Sequence, residues 1–242
     1  DYDMVKNTFS FFKPCFDGVV LPDDPYKVLK KESTIDRNTG SPDDIEILIG
    51  YNTDEGTLFS DDLTAYELKT AIKNTFGEAK AQSIASLYIK GRDPSDHVFN
   101  EVSAYNSDIM FNLGMKIFSD AMSKNHKVYM YHFDYAPSEY KKSHRGVSHS
   151  SEIAYVFSTL PEGAVKEAKN VSDNMHKRFV NFIKTGDPNF NGKTVTPIRW
   201  PLYSEKSPNV YRIDTLPYVE TFKLRDRLSK LEEILYSDYE NE

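Results

Sequence analysis

A single cysteine in 242 residues excludes two chemistries at once. Cys15 has no partner for an intrachain disulfide, and one thiol cannot supply a cysteine-rich metal cluster. Its setting, Phe12-Lys13-Pro14-Cys15-Phe16-Asp17-Gly18, offers no local base, so it reads as a small buried hydrophobe. Long apolar runs are missing too. None approaches the roughly 20 residues needed to cross a bilayer, so no membrane span is expected. The first residues, Asp1-Tyr2-Asp3-Met4, lack the basic and apolar regions of a signal peptide, but a processed chain also lacks them and the compartment does not follow. Basic residues cluster only at Lys141, Lys142, His144 and Arg145, and 37 acidic against 30 basic side chains leave a formal charge of -7, which argues against a nucleic-acid partner. The histidines His97, His126, His132, His144, His149 and His176 form no HExxH pair and no compact zinc spacing, and there is no GxGxxG or other phosphate loop. No metal or organic cofactor is therefore expected.

The residues that are present describe a folded protein with an aromatic-rich interior or cleft: 39% are hydrophobic, with 15 Phe and 16 Tyr. The opening to about Pro25 is turn-rich and reads as a surface connector. From Asp44 to Tyr51 the apolar run Ile45, Ile47, Leu48, Ile49, followed by Gly50, predicts a short buried strand. Leu63 to Phe76 has a helical stripe after the capping candidates Asp61 and Asp62, and Ala79 to Ile89 is a second helix ending at Gly91. A longer helix runs through Val98, Val102, Tyr105, Ile109, Leu113 and Ile117. Lys127 to Phe133 is a strand, Ile153 to Phe157 is either strand or helix, and Asn170 to Lys184 is a helix stopped by Gly186-Asp187-Pro188. Asn209 to Ile213 is a strand, Thr221 to Tyr236 a final helix, and Asp238 to Glu242 an acidic tail. Without repeats or long linkers, short strands separated by helices give one α/β domain, or one piece of a domain, over residues 1–242.

Two settings carry chemistry. Asp54-Glu55-Gly56 leaves the first strand at its carboxyl end, where open α/β sheets keep their sites. His149 lies in the small polar loop Arg145-Gly146-Val147-Ser148-His149-Ser150-Ser151-Glu152. A histidine near neutrality takes a proton from a hydroxyl when a carboxylate holds its other ring nitrogen. Acid before histidine is also the chain order of hydrolases whose nucleophile comes first. Asp54 rivals Glu55 as the acid, and His144, in a charged stretch, rivals His149 as the base.

Six stretches carry a resemblance, and they stand in family order: PCFDGVVLPDDP at 14–25, ILIGYNTDEGTLF at 47–59, YMYHFD at 129–134, GVSHSSEIAYVF at 146–157, FIKTGDPN at 182–189 and WPLY at 200–203. Over nearly its whole length the chain resembles the C-terminal half of the type-B carboxylesterase and cholinesterase family. The resemblance implies an α/β-hydrolase fold whose mostly parallel central sheet is completed by an N-terminal portion. It implies Glu55 as triad acid, His149 as general base, Asp54 as a carboxylate holding the loop, and Glu152 as a supporting acid or an ordinary helix-terminal carboxylate. Many family members have Gly directly after the histidine; Ser150 stands here, which fits unless the backbone needs positive φ.

Nothing in the chain matches the GxSxG nucleophile elbow or an HGGG-like oxyanion loop. The expectation is a serine esterase of small carboxylic esters, active only with an N-terminal esterase chain that carries the nucleophilic serine and the oxyanion hole, as in a proteolytically split chain. A non-catalytic adhesion member of the family is the alternative, and retention of both Glu55 and His149 argues against it. The absence of paired cysteines departs from the disulfide-linked extracellular relatives and favours a cytoplasmic enzyme, while the sequon Asn170-Val171-Ser172 keeps secretion open.

Overall fold

The computed structural model describes residues 17–20, 23–32, 45–138, 145–189 and 198–237. Cys15, His144 and the tail 238–242 lie outside them. The centre is a four-stranded sheet in the order β1 (Glu46–Asn52), β2 (Lys127–Phe133), β3 (Asn209–Ile213), β4 (Tyr218–Thr221). The first three strands are parallel, and β4 turns back antiparallel on β3.

Period-two alternation in β2 divides the interior. Val128 and Met130 enter one core, Tyr129 and Phe133 the other. The first core is closed by α2 (Ala65–Phe76), α3 (Glu78–Ser86), α4 (Phe99–Ser107), α5 (Leu113–Met122) and the last helix, α8 (Arg225–Tyr236), which contribute Ile72, Ile84, Val102, Ile117 and Leu228. A short leading helix, α1 (Pro25–Glu32), packs Tyr26 against Tyr236. The second core lies under α6 (Ile153–Val156) and α7 (Lys166–Thr185). There Trp200 stacks on Tyr211 at 4.8 Å and donates its indole N–H to the Met130 carbonyl at 3.0 Å. The helices on both faces force each parallel strand to be apolar on both sides.

Several sequence expectations are corrected. The first strand is half-buried rather than buried, because β1 is an edge of the described sheet, and an apolar run reads alike at a sheet's edge and its centre. Helix α2 is capped by Thr64, not by Asp61 or Asp62: its hydroxyl accepts from the Glu67 N–H while Glu67 accepts from the Thr64 N–H. Helix α3 ends at Ser86, before Ile89. The long helix is interrupted by a π-turn, Asp108–Asn112, between α4 and α5. Thr221 belongs to β4, so the last helix begins at Arg225. The undecided segment after Glu152 is helical.

At the carboxyl ends of the strands a polar cluster ties four strands together. His132 of β2 stacks on Tyr51 of β1 at 4.5 Å and meets Glu220 of β4 through Nδ1 at 2.7 Å and the Thr53 hydroxyl through Nε2 at 2.8 Å. Lys223 lies 2.6 Å from Glu220, and Arg212 of β3 pairs with Asp134. Burial raises the Glu220 carboxyl, but Lys223 and His132 outweigh it and hold it below its ordinary value. Burial, with the charges of Arg212 and Lys223, holds the His132 imidazole below its ordinary value against the lift from Glu220. Both directions make acid destabilising. Below about pH 6.5 the unfolded chain takes a proton at His132 that the fold resists, and near pH 4.3 the same holds for Glu220. Stability contributed by Glu220 is present above its unfolded pKa and is lost as pH falls through the folded one. The urea midpoint is therefore expected to fall from pH 7 to pH 4, and to fall less steeply between pH 5 and 4 in Glu220→Gln. An unchanged slope in that variant would contradict the assignment.

Candidate active site

The site begins where β1 runs out. The Thr53 N–H still bonds to the Phe133 carbonyl, and Asp54 then pairs with the loop that carries His149. The Asp54 N–H donates to the Val147 carbonyl at 3.0 Å, and the Val147 N–H donates to Asp54 Oδ2 at 2.8 Å. Thr57 adds a hydroxyl bond to the Arg145 carbonyl. Gly146 makes this approach possible: its φ is +55°, and a Cβ there would stand 2.1 Å from Asp54 Oδ2. Asp54 thus binds the histidine loop to the strand end and does not touch the imidazole ring.

Glu55 opens a 3-10 turn, Glu55–Phe59, that Gly56 presses against α4; a Cβ on Gly56 would meet the Ser103 carbonyl at 2.2 Å. Pressed in this way, the Glu55 side chain is buried. Its Oε1 accepts from the Asn52 N–H at 2.7 Å, and its Oε2 lies 2.7 Å from His149 Nδ1. Burial raises the carboxyl above its ordinary value, against the opposing pull of the Asn52 N–H and of His149. With Glu55 ionised, Nδ1 carries the hydrogen and Nε2 keeps its lone pair. Nε2 has no hydrogen-bond partner among the described residues, and the His149 side chain is 41% exposed. Two phenyl rings flank the imidazole, Phe111 stacked at 4.5 Å and Phe59 tilted at 5.8 Å. The structure therefore brings Glu55 and His149 together across the sheet end in the arrangement that a proton relay requires.

Asn52, which no sequence pattern singles out, connects these parts. Its backbone serves Glu55, while its side-chain amide donates to the Ser148 carbonyl at 2.9 Å and to Glu152 Oε2 at 2.5 Å. Glu152 thereby sits beneath the histidine loop at the start of α6. Phe59 and Phe111 are equally unmarked in the sequence. An asparagine ending a strand beside an acidic loop is a weak signal, and an aromatic contact across the chain gives no local one. Among the described residues, no three His, Cys, Asp or Glu side chains are grouped to hold a metal ion. A cleft of about 630 Å³ opens behind the histidine loop between Tyr135, Ser148, Tyr155 and Leu160, and neither Glu55 nor His149 lines it.

A model of the carboxylesterase family matches residues 1–230. The para-nitrobenzyl esterase of Bacillus subtilis is 27% identical over 238 residues, covering 93% of this chain and 44% of the relative. Mouse carboxylesterase 1D is 30% identical, covering 83% of this chain and 37% of the relative. Solved structures of a PNB esterase and a thermophilic PNB esterase superpose with TM-scores of 0.70 and 0.71 at 26% and 25% identity, covering 91% and 95% of this chain and 44% and 46% of theirs. The chain spans less than half the length of these relatives.

Ser150 departs from expectation: its φ is +67°, so the backbone after His149 does adopt the left-handed region in which a serine is strained. Ser150→Gly is expected to stabilise the fold, because relief of a left-handed serine, about 1–2 kcal/mol, exceeds the entropic cost of glycine, about 0.5–1 kcal/mol. Gly146→Ala, which adds a clash with Asp54 to the same backbone strain, is expected to destabilise it by more than about 1 kcal/mol. Urea denaturation of the two variants checks both signs, and a loss of stability in Ser150→Gly would refute the strain.

Proposed function

The chain belongs to the carboxylesterase family, and from that premise we propose that Glu55 and His149 are the acid and base of a charge relay that hydrolyses carboxylic esters. The observation that carries this reading is the 2.7 Å contact of His149 Nδ1 with buried Glu55, which leaves Nε2 without a hydrogen-bond partner among the described residues on a part-exposed side chain. In this reading a serine on an N-terminal portion of the protein loses its proton to Nε2 as it attacks the acyl carbon. Glu55 holds the ring and stabilises the imidazolium. His149 returns the proton to the leaving alcohol, and water repeats the sequence on the acyl-enzyme to release the acid. Backbone donors of the same portion take up the oxyanion charge.

Among the described residues β1 pairs on one side only, which supports such a portion. It is the edge of a parallel sheet, with Ile45 beside it 51% exposed, and Ile153 and Phe157 stand out from the histidine side. An edge strand next to exposed apolar side chains is what a sheet completed by a further portion would leave. In the finer form of the proposal the completing portion is a separate chain, left by proteolytic cleavage and retained in the complex. Denaturing separation of the native protein is then expected to yield two chains, and a single longer chain would replace cleavage by continuity. Small esters with apolar or aromatic groups are the proposed substrates, and a cytoplasmic location is part of the same reading. Among the described residues, no helix is long and apolar enough to cross a membrane.

In the assembled esterase, His149→Ala is expected to lower kcat/KM for a short p-nitrophenyl ester by roughly 10³-fold or more, and Glu55→Gln to impair it strongly. Asp54→Asn, which loosens the loop without removing the relay, is expected to lose less. Turnover at the normal rate by His149→Ala would sink the assignment, and greater damage in Asp54→Asn at equal protein yield would exchange the two carboxylate roles.

A further inference from the structure

The π-turn between α4 and α5 is a local departure from regular helix. The Leu113 N–H reaches back to the Asp108 carbonyl, five residues away, in place of the usual four. One extra residue in a turn rotates the next part of the helix by about 100°, so the turn determines which way Phe111 faces. Its first residue is anchored in the core. Asp108 is completely buried and accepts from Arg227 Nε at 2.7 Å and Nη2 at 3.2 Å, from the Tyr88 hydroxyl at 3.0 Å, and from Asn112 at the far end of the turn at 3.0 Å. Four donors on one buried carboxylate hold the turn open against relaxation to ordinary helix.

The outcome of that anchoring is an aromatic wall beside the candidate base. The Phe111 ring lies 4.5 Å from the His149 ring at an interplanar angle of 24°. Phe59 closes a second side at 5.8 Å and 57°, and the two phenyl rings brace each other at 5.7 Å. The hydrogen bond to Glu55 fixes one atom of the imidazole; the stacked ring fixes its plane. Rotation about the Cβ–Cγ bond, which would exchange Nδ1 for Cδ2 at Glu55, would have to sweep the imidazole edge through the stacked Phe111 ring.

We propose that Phe111, set in place by the π-turn and its Asp108–Arg227 ion pair, is a positioning residue for His149. The proposal rests on the relay reading of Glu55 and His149. Phe111 acts through the imidazole ring, whose orientation it keeps, and its negative π face attracts the imidazolium present during each proton transfer. Both effects are greater in the transition state than on substrate binding, so they belong in kcat rather than in KM.

The test sorts variants by aromaticity against volume in the assembled esterase. Phe111→Leu and Phe111→Met fill similar space without a π face, and each is expected to lower kcat by about tenfold with KM within about twofold. Phe111→Tyr and Phe111→Trp are expected to recover most of the loss. Independently of turnover, the low-field proton resonance of His149 Nδ1–H is expected to broaden in the aliphatic variants and to stay sharp in the aromatic ones. Activity that tracks side-chain volume, or a sharp resonance in Phe111→Leu, would overturn the proposal. If Glu55→Gln and His149→Ala are strongly impaired while Phe111→Leu is not, the inference alone fails. If none of the three is impaired, the relay reading itself fails.

Discussion

A buried carboxylate has to be paired, and the histidine side of this fold is organised around meeting that requirement for Glu55. In a packed interior an ionised group without donors costs several kcal/mol, so the two bonds to Glu55, from the Asn52 N–H and from His149, offset the cost of burying it. Each depends on something farther away. The Asn52 donor points correctly because β1 pairs with β2 in a fixed register, Asn52 opposite Phe133. The His149 donor arrives because Asp54 and Gly146 stitch the second loop to the end of the first strand. A residue with a side chain at position 146 would push the loop away and leave the carboxylate buried with one partner.

The same logic separates the two acids of the Asp54-Glu55 pair. Asp54 is spent on a backbone N–H of the neighbouring loop, while Glu55, with a longer side chain and a 3-10 turn beneath it, reaches the imidazole. Neighbouring carboxylates therefore take different partners: one sets where the loop lies, the other which way its ring points. Asn52 and Glu152 extend the arrangement under the loop, so the geometry of His149 is determined from below by hydrogen bonds and from the side by Phe111.

Much of this is legible in the residues. Strands β2 and β3 can be read to the residue between their turn signals, and the end of α7 to within one residue because Val171, Met175 and Phe179 recur at helical spacing before Gly186, whereas the helix starts at Lys166, ahead of the expected Asn170. Glu55 and His149 are singled out by the family stretches at 47–59 and 146–157, since on residue type alone Asp54 and His144 rival them. The features that escape such a reading are tertiary in origin. β4 has four residues and one buried side chain, too short for alternation to register. The edge position of β1 depends on which neighbours exist, which a strand's own composition does not encode. The π-turn hides inside an otherwise regular apolar spacing from Val98 to Ile117, and its cause, a buried ion pair to a residue more than a hundred positions later, is invisible locally. Ser150 shows the converse: a glycine-preferring position filled by another residue conceals the positive φ that a glycine would have advertised.

The central claim is that this chain provides the acid and base of a relay whose nucleophile lies elsewhere in the protein. Treatment of the native protein with a fluorophosphonate, then digestion and mass spectrometry of the adduct, tests it most directly. A reactive phosphonate reports the nucleophile's position, and the rate of labelling reports its activation. The account predicts an adduct on a serine outside residues 1–242, formed far more slowly when His149 is replaced by alanine. An adduct on a serine within these residues, or labelling of His149→Ala at the unmodified rate, would contradict it.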